Sequence, residues 1–249
     1  MLRSSNPALT DRLFNAQKSI ADQGVMTIEG SVNRTLILLA LVLCCASYTW
    51  GSFFSASQGA VSAWMIGGAI VGLIAALVTA FKPTAAPYSA PIYACAQGFF
   101  LGGLSAVFEA QYPGIAFQAI ALTFGTLFCL LAAYKSRLIV VTNNFKMGIA
   151  AATGGIALVY FVSLILGFFG VSLPFIFGSG PFGILFSVFV VTIAALNLVM
   201  DFDFIERAAE SRNVPKYMEW YAAFGLMVTL IWLYIEVLRL LSKLRSNRN

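Results

Sequence analysis

The residues most able to do chemistry in this chain are carboxylates set in uncharged sequence. An ionisable group inside a bilayer costs on the order of several kcal/mol and needs a reason to be there. Asp201 ends the stretch Phe182 to Met200, which holds no Asp, Glu, Lys or Arg. Glu236 lies within the apolar run Tyr217 to Leu241, which also carries Glu219 and Arg239. Asn197 stands four residues before Asp201, so on a helix an amide and a carboxyl share one face. A carboxyl withdrawn from water holds its proton more tightly, and a second carboxylate nearby strengthens the effect, so a pair can share a proton at neutral pH. The same oxygens suit Ca²⁺, a hard cation that takes carboxylate ligands. Asp201 and Glu236 are therefore the candidate ion or proton gate, and possible Ca²⁺ ligands, with Asn197, Asp203 and Arg239 as supporting polar groups.

The other charged groups have plainer readings. Asp203 and Arg207 are four apart and form a surface ion pair on a helix. Glu206 and Glu219 read as solvated interfacial charges, and Glu109 as a group at the outer headgroups. Arg239, three residues beyond Glu236, offers that carboxylate an ion pair along the helix. Gln97 and Gln118 are the remaining buried polar candidates.

The chain contains no histidine, which removes His metal sites, His-activated nucleophiles and imidazole pH sensing. Gly178-Ser179-Gly180 has no base to activate its serine, and Asp201-Phe-Asp203 is not the GxGD pattern of intramembrane aspartyl proteases. Cys44, Cys45, Cys95 and Cys129 form no metal-ligand spacing and read as small buried hydrophobes. An enzyme is not expected, nor a cofactor beyond Ca²⁺ as a transported ion.

The elements that must position these groups follow from composition. Hydrophobic residues make up 60% of the 249 and charged ones 10%, against about 45–50% and about 25% in soluble domains. Six uncharged runs, Leu36 to Phe54, Val61 to Phe81, Pro91 to Phe108, Ile115 to Tyr134, Met147 to Val171 and Phe182 to Met200, each approach the ~20 residues that cross a bilayer as helix. Tyr217 to Leu241 is a seventh, expected to span fully. The fold class is an all-α polytopic membrane protein: a polar tail over 1–35, a seven-helix membrane domain over 36–244, and a basic C-terminal tail over 245–249. Lys and Arg fall in the N-terminal tail and in the loops after the second, fourth and sixth runs, and are absent from the other loops. The N-terminus is therefore expected in the cytoplasm. The net charge of +5 reflects that bias and calls for no nucleic acid. Gly68-x-x-x-Gly72 and Gly98-x-x-x-Gly102 are expected to bring helices of one chain close together.

Asn197-Leu-Val-Met-Asp201-Phe-Asp203-Phe-Ile205-Glu206, with Leu233-Tyr234-Ile235-Glu236 and Leu238-Arg239-Leu240-Leu241, resembles the closing helices of the Bax inhibitor-1 (transmembrane Bax inhibitor motif) family. Met26-Thr-Ile-Glu-Gly30, Pro91-Ile-Tyr93, Gly98-x-x-Leu-Gly102 and Lys216-Tyr-Met-Glu-Trp-Tyr221 resemble its bacterial branch. The resemblance implies six helices around the last one, and a pH-sensitive Ca²⁺ leak governed by acids matching Asp201 and Glu236, where Glu stands in place of the usual Asp. Lys82 is the position nearest a basic partner that relatives carry in the second-helix region. It further implies a multi-pass protein of the bacterial inner membrane, and the alternative role of modulating a membrane-embedded AAA protease or another membrane protein.

Overall fold

The computed structural model describes residues 24–55, 58–170 and 174–247. Seven long helices follow one another: α1 Ile28–Ser55, α2 Gln58–Phe81, α3 Ala86–Gln111, α4 Ile115–Lys135, α5 Asn143–Phe168, α6 Pro181–Glu210 and α7 Met218–Ser246. All seven are long and apolar enough to cross a membrane. Among the described residues the only β pairing is an isolated bridge between Val25 and Pro215. Residues 1–23 of the expected tail lie outside the described residues, as do the last two. α1 begins eight residues ahead of its uncharged run, because Thr27 caps it: the Thr27 hydroxyl accepts from Gly30 N at 2.9 Å.

Helix ends are set by familiar local chemistry. Thr142 caps α5 by accepting from Phe145 N at 3.2 Å. Pro181 starts α6, where a missing N–H costs nothing. Gly114 turns the chain into α4 with φ +84°, which a side chain would resist. The Glu109 carboxylate accepts from Gly114 N at 2.5 Å and Ala116 N at 3.1 Å, answering the open donors at that helix start. Glu109 is thus a helix cap.

α7 is the most enclosed span, with 56% of its apolar window buried, and α5 the least, with 11%. Four helices, α1, α3, α4 and α6, pack directly on α7. α2 lies behind α3, and α5 behind α6. The α1–α3 and α2–α3 seams are close because glycine permits it. A Cβ on Gly98 would stand 2.6 Å from Val42 O and 2.7 Å from Cys45 Cβ, and one on Gly68 would stand 2.5 Å from Ala96 O. The two glycine motifs therefore serve packing within the chain. Exposed side chains such as Leu73, Phe128 and Leu164 form an apolar exterior that lipid tails cover and water would not. Cys44 and Cys129 share that exterior, contrary to the burial expected of them, since their helix faces point away from α7.

α7 passes through the whole bundle. Near its start Glu219 meets the N-terminal segment. Near its end Arg245 reaches Pro113 O at 2.7 Å and Lys243 reaches Ile176 O at 2.8 Å, in loops on the opposite face. A seam held by backbone contact leaves no slack. Gly98→Ala is expected to lower stability by about 1–3 kcal/mol. Gly155→Ala, whose Cβ would meet nothing within 4 Å, should be neutral or raise stability by up to about 1 kcal/mol. Thermal unfolding of both variants in one detergent checks the contrast.

Candidate functional site

Polar groups inside the bundle gather on the side where α5, α6 and α7 meet. α5 supplies Lys146, Thr153 and Tyr160, seven residues apart and so on one stripe of the helix. Each reaches inward. Lys146 Nζ lies 2.6 Å from Asp203 Oδ2, Asn197 Nδ2 donates to Thr153 Oγ1 at 2.9 Å, and Tyr160 OH donates to Glu236 Oε1 at 2.9 Å. Between these latches Ile149 and Ile156 are buried against Val190 and Ile193 of α6. The seam alternates polar contacts with isoleucine, and the polar positions fix its register.

Glu236 is 2% exposed, with Arg239 Nη1 2.8 Å from Oε1. Arg239 also donates to Tyr160 OH at 3.0 Å, and its guanidinium carbon lies 5.5 Å from the centre of that ring. One arginine thus answers a carboxylate, a phenol oxygen and a π face. The expected pairing of Glu236 with Arg239 is present, and Tyr160 joins it from another helix. Glu236 Oε2 is buried with no hydrogen-bond partner among the described residues.

Asp201 is held differently. Thr229 on α7 is its polar neighbour, although the Thr229 hydroxyl donates to Gly225 O at 3.3 Å, and Asp201 Oδ2 is buried without a partner among the described residues. Asn197 donates to Thr153 and to Ile193 O, so it ties α5 to α6 and does not bond Asp201. Asp201 and Glu236 are not brought together. Thr229 and Glu236 are seven residues apart on α7, about 10.5 Å at 1.5 Å per residue. Ligand oxygens lie about 2.3–2.6 Å from a bound Ca²⁺, so one ion cannot touch both acids in this conformation. Among the described residues no group of three or more His, Cys, Asp or Glu could hold a metal.

The remaining charges sit toward the face of the N-terminal segment. Asp203 pairs with Arg207 at 2.8 Å as its spacing predicts. It is 4% exposed, however, because Lys146 arrives from α5 and closes over it; the surface reading is corrected to a buried one. Glu206 accepts a short hydrogen bond from Tyr134 and lies 3.9 Å from Arg137. Lys82 is exposed, at the turn between α2 and α3, and joins none of these acids. Gln118 is exposed and accepts from Arg245 at 3.1 Å, and Gln97 packs against Gly72.

Glu219 departs furthest from expectation. In place of solvation it is 1% exposed. Its Oε1 accepts from Thr27 N at 3.2 Å and Thr27 Oγ1 at 3.0 Å, with Arg34 Nε 4.0 Å from Oε2. In a capping box a Glu at the third helical position accepts from the cap N–H. Here that position is Gly30, where a Cβ would collide with the Glu219 carboxylate, and Glu219 takes the role from another helix. Met26 N donates to Val214 O at 2.9 Å and Lys216 N to Gly24 O at 3.1 Å, strapping the N-terminal segment across the α6–α7 turn.

Sequence reasoning passes over Lys146, Thr153, Tyr160, Thr229 and Lys243. Their seven-residue spacing along α5, and again through Thr229, Glu236 and Lys243 on α7, is the signal that points to them. Removing Arg239 alone strands a buried carboxylate. Arg239→Met is expected to cost about 2–3 kcal/mol, below the full range for a buried pair because the guanidinium keeps 33% of its side-chain surface exposed. Arg239→Met with Glu236→Leu should recover most of that loss, as read by chemical unfolding in detergent.

The family model described as Bax inhibitor 1 like matches residues 6–246. No curated protein and no solved structure matches the chain. With that match spanning nearly the whole sequence, the chain belongs to the Bax inhibitor 1 like family.

Proposed function

We propose that this membrane protein is a pH-sensitive cation leak, with Ca²⁺ as its substrate, and that it works without a cofactor or enzymatic step. The observation that carries the reading is a pair of orphan oxygens. Asp201 Oδ2 and Glu236 Oε2 are buried carboxylate oxygens with no partner among the described residues, each available to a proton or a passing cation. They act as two stations about two helical turns apart, one beside Thr229 and one beneath Tyr160 and Arg239. The Lys and Arg distribution supports a cytoplasmic N-terminal face, and the resemblance of the stretches Met26 to Gly30 and Lys216 to Tyr221 to the bacterial branch supports the bacterial inner membrane.

The latch sets the direction of the response. Loss of charge at Glu236 leaves Arg239 without its partner and weakens the acceptor used by Tyr160, so α5 is held less firmly and flux rises. Ca²⁺ entry into dye-loaded liposomes carrying the purified protein is expected to increase from pH 8 to pH 6. Glu236→Gln, which removes that charge, should be high and flat across that range, and Asp201→Asn should also lose the dependence. A folded protein with no flux above empty liposomes would overturn the leak.

That result would favour a regulator of a membrane-embedded protease or another membrane protein. The strap supports this second reading, since it holds Gly24 and Met26 beside the α6–α7 turn. The deletion that separates the two must stop before Gly24, because Met26 is buried and Thr27 caps α1. Removing residues 1–23 is expected to leave flux unchanged. If the regulatory reading holds, it should abolish the change in substrate turnover by a co-reconstituted AAA protease.

A further inference from the structure

Beyond Glu236, toward the C-terminal face, the same stripe of α7 presents Lys243. It is 4% exposed, and no carboxylate pairs with it among the described residues. Its Nζ donates to Ile176 O at 2.8 Å, Gly183 O at 2.9 Å and Ser187 Oγ at 2.8 Å, which uses all three ammonium protons. These oxygens are neutral. They come from the short helical turn Pro174–Phe177 and the first turns of α6. Gly183 lets the two pieces close, since a Cβ there would collide with Gly178 O. The nearest acid on its own helix is Glu236, already engaged by Arg239 and Tyr160. The chain has placed its own cation in an oxygen cradle.

Thr229, Glu236 and Lys243 follow one another in steps of about 10.5 Å along one stripe of α7. The first neighbours Asp201, the second is the inner acid, and the third stands between that acid and the C-terminal face. The cavity of about 110 Å³ on another flank of α7 is lined by Leu, Val, Ile and Phe with Ser105, Thr123 and Tyr234, and carries no charge. On the leak reading, a cation that passes from Glu236 toward the C-terminal face meets two positive groups, Arg239 and Lys243, of which Arg239 has a carboxylate partner and Lys243 has neutral oxygens alone among the described residues. We infer that Lys243 is a specificity-determining residue of the leak: a tethered ammonium that holds the cation cradle at the C-terminal end and opposes divalent more than monovalent ions. Repulsion scales with the charge of the moving ion, so Ca²⁺ meets twice the barrier that K⁺ meets.

The inference rests on the leak reading, and the experiment separates their failures. Ca²⁺ and K⁺ fluxes are measured in the same proteoliposomes for the wild type, Lys243→Gln and Lys243→Arg, each confirmed as a single folded species by size exclusion. Lys243→Gln keeps an amide donor for the cradle and drops the charge. It is expected to raise Ca²⁺ flux about tenfold and to raise the Ca²⁺/K⁺ ratio with it, while Lys243→Arg leaves the ratio unchanged. Ser187→Asp neutralises the ammonium without removing it, should shift the ratio in the same direction, and carries the test if Lys243→Gln does not fold. A wild type that conducts, with both neutralising variants leaving the ratio unchanged, overturns the role of Lys243 and leaves the leak standing. Equal rises for both ions mean loosened packing and overturn it too. Silence of the wild type and of every variant removes the leak itself.

Discussion

Charge withdrawn from water has to be answered inside the bundle by opposite charge or by oriented dipoles, and the surroundings of α7 meet that demand at four depths. Glu219 is answered by the start of α1, Asp201 faces Thr229 of α7 itself, Glu236 takes an arginine and a tyrosine, and Lys243 takes carbonyls. Lipid tails offer none of these groups, so each pairing also fixes where a neighbouring helix must lie. α7 is the deepest span for this reason as well as for its apolar surface. The positive residues near its end do not contradict the orientation bias of the loops: Arg239, Lys243 and Arg245 all bond within the protein.

Two kinds of adhesion divide the bundle. α1, α2 and α3 are joined by close backbone approach at glycines, which gives dense dispersion contact and little tolerance. α5 is joined by three polar latches and two isoleucines, with most of its length turned to lipid. A helix held in that manner can shift without dismantling the glycine-packed half. The carboxylates proposed to gate the protein lie beside the yielding half.

The seven spans were legible because continuous apolar runs of membrane length have few other uses. The Glu236–Arg239 pair and the intramolecular glycine seams could also be read, since both depend on spacing within one helix. The burial of Glu219 could not, because Thr27 lies 192 positions away in sequence. Asp203 was half legible: Arg207 is four residues on, whereas Lys146 comes from another helix. Whether Asp201 met Glu236 depended on where α7 begins, and a start at Met218 puts Glu236 some two turns past the level of Asp201. The seven-residue intervals on α5 and α7 were visible as numbers, but only the packing shows which face they occupy.

The cap that Glu219 supplies to α1 bears on how the chain is made. Of these seven spans, α1 leaves the ribosome first and α7 last. Until α7 is inserted, the Thr27 amide and the cleft beside Gly30 wait without their carboxylate. The starts of α1 and α7 are thus joined by one late event, and a nascent chain lacking α7 presents an unfinished first helix.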